Sequence, residues 1–170
     1  MSLKKLITNC ADYNVWANKT LIEWLRLKPA EVLDKEVASS FPGILKTFNH
    51  IWAVQEFWQS VIDETELSTN RYNAEEIDTE EVLRGIISQS KAMADYIQSL
   101  SEEDLVKKVY LDTPWVKGEM PRYEFIQHCL NHSTYHRGQI ITIGHHVGLH
   151  DAPMTDYNYY NMATQLVASN

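Results

Sequence analysis

Apolar residues recur at helical spacing along most of the chain, and the places where the recurrence stops divide it into segments. From Leu3 to about Leu27 the stripe is Leu6, Cys10, Tyr13, Trp16, Ala17, Leu21, Trp24 and Leu25, and Pro29 closes it, which predicts a first helix. Residues 30–42 hold charges, serines and Pro42 and read as a connection. A second stripe of Ile44, Leu45, Phe48, Ile51, Trp52, Gln55, Trp58, Val61 and Ile62 predicts a helix from Gly43 to about Asp63. The polar residues 64–77 read as a long loop. Asp78 and Glu81 then have the spacing of a capped helix start, and Val82, Leu83, Ile86, Ile87, Met93, Tyr96 and Ile97 carry a third helix to about Leu100. Ser101-Glu102-Glu103-Asp104 breaks it.

Between Leu105 and Arg122 the period changes. Val109, Leu111 and Thr113 alternate with Tyr110 and Asp112, Pro114 and Pro121 forbid a helix interior, and Gly118 offers a turn, so an irregular or hairpin-like crossover is expected. A fourth long helix runs from about Arg122 to Val147 and stops at Gly148. Asp151, Pro153 and Asp156 mark a loop before a short final helix from Tyr157 to about Val167. The expected fold is all-α: a four-helix bundle with a long crossover, which could hold a small hairpin, before the last long helix, and a short C-terminal helix. One domain over residues 1–170 is expected. Bundles build metal sites from side chains that project inward from facing helices.

Composition narrows the function. The formal charge is −8 with no basic run, whereas a nucleic-acid surface needs clustered Lys and Arg to neutralise phosphates, so direct nucleic-acid binding is not expected. No apolar run approaches the length of a membrane span or a signal-peptide core, and the expectation is a cytoplasmic protein away from membranes. Cys10 and Cys129 form neither a disulfide framework nor a CxxC motif and should be reduced.

The candidate chemistry lies in the stretch from Gln127 to Gly144. His132 and His136 are four apart, so on a helix their imidazoles leave one face about 40° apart, one turn from each other. That is the geometry of a chelate, and it needs a third ligand from elsewhere; His50, on the second helix, is the candidate. His128 extends the row to i, i+4, i+8, and Cys129 lies three before His132, so spacing alone leaves several ligand pairs open. HExxH, the motif that adds a general base, is absent, which argues against a zinc protease of that type.

The surrounding residues add a resemblance. Asn131 to Ile140, NHSTYHRGQI, resembles the HxxxHRGQ motif on the last long helix of the DinB/YfiT-like family of metal-binding four-helix proteins. Phe48-Asn49-His50-Ile51-Trp52 with Trp58 is similar to that family's second-helix motif, and Tyr13 to Asn18 is similar to its first-helix motif. Asp156-Tyr157 with Tyr160 is similar to its C-terminal segment. The resemblance implies metal ligands at His50, His132 and His136 and leaves His128 as a neighbour. Arg137 would pair with an acidic side chain or meet an anionic substrate, and Gln139 or Asn131 could orient an imidazole. Trp16, Trp52 and Tyr157 are candidates for the mouth of a pocket. His145, His146 and His150 read as surface residues near the helix end.

Three neutral imidazoles suit one divalent transition metal, zinc or nickel first and iron or cobalt as alternatives. The resemblance further implies a metal-dependent enzyme that activates a small thiol or water, as a thiol S-transferase or a hydrolase in stress response or detoxification, acting on a small-molecule substrate. It also implies a homodimer. The alternative is a non-enzymatic structural or sensing protein whose metal shell is closed by Cys129 or a carboxylate.

Overall fold

The computed structural model describes residues 2–69, 71, 78–114 and 116–168, with side chains described to residue 164. Four long helices carry the architecture: α1 (Leu3–Leu25), α3 (Ile44–Ile62), α4 (Thr79–Ser99) and α6 (Arg122–His146). Shorter elements join them, namely α2 (Ala30–Leu33), α5 (Glu102–Val106), strands β1 (Lys108–Asp112) and β2 (Lys117–Pro121), and the C-terminal α7 (Tyr157–Ala168). Among the described residues no helix is long and apolar enough to cross a membrane.

Local chemistry sets the helix ends. Ser2 accepts from the Lys5 backbone N–H, and Asp78 accepts from the Glu81 N–H at 2.7 Å, each satisfying a donor that the first turn leaves without a carbonyl. Ser101 and Asp104 form a reciprocal capping box, so the stretch that ends α4 also begins the short α5. The sequence pattern alone had marked only the break. Gly43 precedes α3 with φ of 115°, a conformation that a side chain would strain, and Lys35 O lies 3.1 Å from where its Cβ would be.

Within the bundle α1 packs on α4, α4 on α3, α3 on α6 and α6 on α1. Ile7 and Ala11 of α1 share one apolar cluster with Val61 of α3, Ile97 of α4 and Phe125 of α6, and Leu21 and Leu25 share a second with Ile44, Val82 and Ile143. Helices α1 and α6 therefore run one way while α3 and α4 run the other. The chain must return along the bundle between Asp63 and Asp78; within the long loop expected there, residues 70 and 72–77 lie outside the described residues. The β1–β2 hairpin is antiparallel, pairing Lys108 with Pro121 and Asp112 with Lys117, and it turns Val109 and Leu111 into the first cluster. Arg122 fastens that end of the molecule by donating to Ile62 O at 2.9 Å, Asp104 O at 2.9 Å and the Glu64 carboxylate at 2.6 Å.

Between the two apolar clusters lies a belt of buried polar groups. Arg137 of α6, only 2% exposed, donates to Asn14 Oδ1 at 2.6 Å and Asn18 Oδ1 at 3.0 Å on α1 and to Thr134 Oγ1 at 2.8 Å. Asn18 donates onward to Ser90 Oγ of α4, which donates to Gln55 Oε1 of α3, and Gln55 Nε2 donates to Ser133 Oγ of α6. Every helix of the bundle contributes to this chain of partners, as buried polar groups require.

Candidate metal centre

The antiparallel packing of α3 on α6 brings His50 level with His132 and His136. His50 Nε2 lies 3.3 Å from His132 Nε2, and His136 Nε2 lies 3.1 Å from the same atom. One ligand atom from each of the three imidazoles lies within 4.8 Å of the others, a set that could hold a metal ion. Ligand nitrogens about 2.0–2.1 Å from a tetrahedral ion are spaced at roughly 3.3 Å, so the two observed separations suit such an ion.

Hydrogen bonding shows what a cation would relieve in the cluster. Gln139 Oε1 can only accept, and it lies 2.7 Å from His136 Nδ1, so Nδ1 carries the proton and Nε2 turns its lone pair to the cluster. Gln139 is itself fixed by donating to the Tyr135 hydroxyl at 3.2 Å. His132 Nε2 is close to two other ring nitrogens and can donate one proton at most, while its buried Nδ1 has no hydrogen-bond partner. The protein's own groups leave this imidazole poorly satisfied, and a cation that accepts lone pairs would relieve it.

The electrostatics agree. Burial, followed by the neighbouring His136, pushes the His50 pKa down to about 4. Burial, followed by His136, His50 and His128, pushes His132 down to about 3. Burial also lowers His136, against an upward contribution from its bond to Gln139. All three are thereby held neutral at pH 7, the form that binds a metal.

The walls of the cluster are aromatic. Phe41 stacks on His50 with ring centres 3.8 Å apart and an interplanar angle of 18°, and it meets His136 edge-on at 5.5 Å. Tyr135 meets the other side of His136 at 4.9 Å. Sequence reasoning missed Phe41, because it lies in the connection ahead of α3 and belongs to no periodic stripe. Its only signal is a single aromatic residue directly before Pro42-Gly43 at the end of the connection.

Other candidates stand elsewhere. The exposed His128 packs edge-on against Trp58 at 4.6 Å, and its ring lies 6.2 Å from His132. Cys129 is fully buried with its sulfur 3.9 Å from Met93 Sδ, and burial pushes its thiol up to about 12. Among the described residues neither it nor a carboxylate joins the three imidazoles. Asn131 accepts from Gln127 instead of orienting an imidazole. Among the described residues Arg137 makes no acidic pair; it belongs to the buried belt and lies over the Tyr13 ring at 5.3 Å. Trp52 lies under the Arg71 guanidinium, whose carbon is 3.2 Å from the ring centre. Trp16 packs against Tyr159 and Tyr160. Tyr157 accepts from Asn9 at 2.7 Å and lines a cavity of about 860 Å³ beside the start of α1. Among the described residues no cluster of metal-ligating side chains adjoins that cavity. His145, His146 and His150 are exposed.

Comparison with known proteins extends these observations. The model of the DinB family matches residues 1–167. Protein DinB of Bacillus subtilis is 31% identical over 165 residues, which span 91% of this chain and 92% of that protein. A crystal structure of a DinB-like protein from Bacillus cereus superposes with a TM-score of 0.66 at 20% identity, covering 84% of this chain and 91% of the other. A second, from Bacillus subtilis, gives 0.61 at 12% identity over 86% of this chain and 97% of its own. At such identities the structural likenesses concern the fold.

Proposed function

The chain belongs to the DinB family, and from that membership and the imidazole cluster we propose that it is a metal-dependent enzyme holding one divalent ion at His50, His132 and His136. Zinc or nickel fits three neutral imidazoles, with iron or cobalt as alternatives. Such an ion acts as a Lewis acid that makes a thiol or water nucleophilic near neutral pH, which suits a thiol transferase or a hydrolase acting on a small electrophile in detoxification. The single observation that carries the reading is the donor set itself: three imidazoles held neutral and, among the described residues, no thiolate or carboxylate to close the shell. Structural metal sites supply four protein ligands, whereas catalytic ones leave a position for water or substrate.

The protein's own groups have distinct tasks in this reading. Gln139 keeps the His136 proton on Nδ1, and Tyr135 holds Gln139. Phe41 covers the His50 face and limits the approach of solvent. A homodimer in the cytoplasm is the proposed setting.

One observation favours a second reading, a structural or sensing role: the ligands come from two different helices, so an ion would tie α3 to α6. Metal analysis of tag-free protein, with His132→Ala beside it, tests both readings, followed by titration of small thiols into cobalt-substituted protein. One ion per chain, lost in the variant, together with a thiolate charge-transfer band supports the enzyme. An ion indifferent to thiols and to water exchange supports the structural role. No ion in either protein after reconstitution would overturn both.

A further inference from the structure

The cavity of about 860 Å³ beside Tyr157 is walled by the first turns of α1, by Gln98 of α4 and by Tyr157 and Asn161 of α7. Among the described residues α3 and α6, which carry the three imidazoles, contribute nothing to it. Its volume lies within the range of small-molecule sites, about 300–1,000 Å³.

Two of the lining side chains are informative about what would fill it. Asn9 uses both amide hydrogens on α7, donating to the Tyr157 hydroxyl at 2.7 Å and to Asn161 Oδ1 at 2.8 Å, so this wall is fixed and the Asn9 oxygen is left to accept. Thr47, Thr134 and Thr142 each return their hydroxyl to the carbonyl one turn back in their helices. Thr8 does not. Its Oγ1 is sealed from water and has no partner among the described residues, and a rotation about χ1 toward the cavity would offer it one.

Charge is divided along the cavity. Lys4 and Lys5 stand at one end and Asp12 at the other, and the seven residues from Lys5 to Asp12 put about 10 Å between them along the helix axis. Among the described residues none of the three belongs to an ion pair. Glu102 accepts from the backbone N–H of Lys4 at 3.3 Å and tempers the charge there, so Lys5 is the stronger cation of the two. Lys91, which acts on Asp12, already holds Asp95 at 2.7 Å. Burial, followed by Asp95, holds the Asp12 carboxyl above its ordinary value, and an ammonium group beside it would offset both.

A ligand of one sign would be attracted at one end of this cavity and repelled at the other, whereas a zwitterion is attracted at both. Three extended residues span about 10 Å. We propose that the cavity binds a zwitterion of tripeptide length, its ammonium group on Asp12 and its carboxylate on Lys5, with the amides between them meeting Asn9 and Gln98. The site is separate from the metal centre and does not depend on it.

The test is amide chemical-shift mapping of tag-free protein with trialanine, N-acetyl-trialanine and trialanine amide. Trialanine should shift Lys5, Asn9, Asp12 and Gln98, and blocking either of its ends should weaken binding at least tenfold. Asp12 and Lys5 are exposed, so Asp12→Asn and Lys5→Gln should fold as the wild type does. Asp12→Asn should bind trialanine and its acetylated form within twofold of each other, and Lys5→Gln should do the same for trialanine and its amide. Metal-free and zinc-loaded protein should give equal affinities. No shifts along the cavity at millimolar trialanine would overturn the proposal, as would binding indifferent to the blocked ends, end preferences that survive both substitutions, or a requirement for zinc.

Discussion

Gly85 stands inside α4, where alanine ordinarily stabilises a helix by about 1 kcal/mol. Here a methyl group would fall within the van der Waals envelope of three Trp52 ring carbons, Cη2, Cζ2 and Cζ3. Carbon atoms pack at about 3.5–4.0 Å, so the indole would have to withdraw by more than about 1 Å. It has little room to do so, because Arg71 lies 3.2 Å from the ring centre and Trp52 is only 8% exposed. Overpacking of a filled core costs about 1–3 kcal/mol, and a clash with three rigid ring atoms belongs at the upper end. Against the helical gain, Gly85→Ala should lose about 2 kcal/mol net, a fall of roughly 4–8 °C in melting temperature for a chain of this size. Gly138→Ala is the control, since its methyl meets nothing, and it should gain about 1 kcal/mol. Urea denaturation with a chelator present removes any contribution from bound metal. A Gly85→Ala protein as stable as the wild type would refute the packing of Trp52 over the α4 backbone.

Arg137→Met should destabilise the metal-free protein by about 2–4 kcal/mol in the same assay, because it strips donors from the buried Asn14 and Asn18 oxygens; unchanged stability would mean that the cost of burying the cation cancels its bonds. Gln139→Ala, which frees the His136 tautomer, should weaken zinc affinity by about 10–100-fold in competition with a chromophoric chelator while leaving metal-free stability nearly unchanged. Acid should destabilise the metal-free protein. His50 and His132 are held near 4 and 3, below the ordinary 6.5, so their contribution is complete above about pH 6.5 and is lost as pH falls toward 4, where the unfolded chain takes up protons that the folded one refuses. Melting temperatures between pH 7.5 and 5 should decline in the wild type and decline less in His132→Phe; parallel curves would contradict this.

Much of the architecture was readable as periodicity. The stripes from Leu6 to Leu25 and from Ile44 to Ile62 coincide with α1 and α3, because burial against neighbouring helices demands that spacing. The first stripe overran its helix by two residues, since the chain tightens into turns at Leu27 and Lys28 ahead of Pro29. His132 and His136 were legible as a pair because one helix carries both; that His50 meets them depends on how α3 sits against α6, which no local pattern encodes. The same limit hid Phe41 and left the partner of Arg137 open. A lone cation beside a histidine pair looks like a partner for anions, and only the packing of α1 shows it bound to two asparagines.

The belt through Arg137, Asn18, Ser90, Gln55 and Ser133 bears on how the histidines come to be level with one another. Gln55 lies five residues after His50, and Ser133 directly follows His132, so the Gln55–Ser133 bond fixes the height of α3 against α6 within about one and a half turns of the imidazoles. A slip of α3 against α6 by one turn would break the Gln55–Ser133 bond, and a slip of α1 against α6 by one turn would move Arg137 off at least one of its two asparagines. The helices are thus indexed by hydrogen bonds that involve no metal. An ion bound there would meet nitrogens already at chelating height, and its affinity would not be spent on aligning two helices.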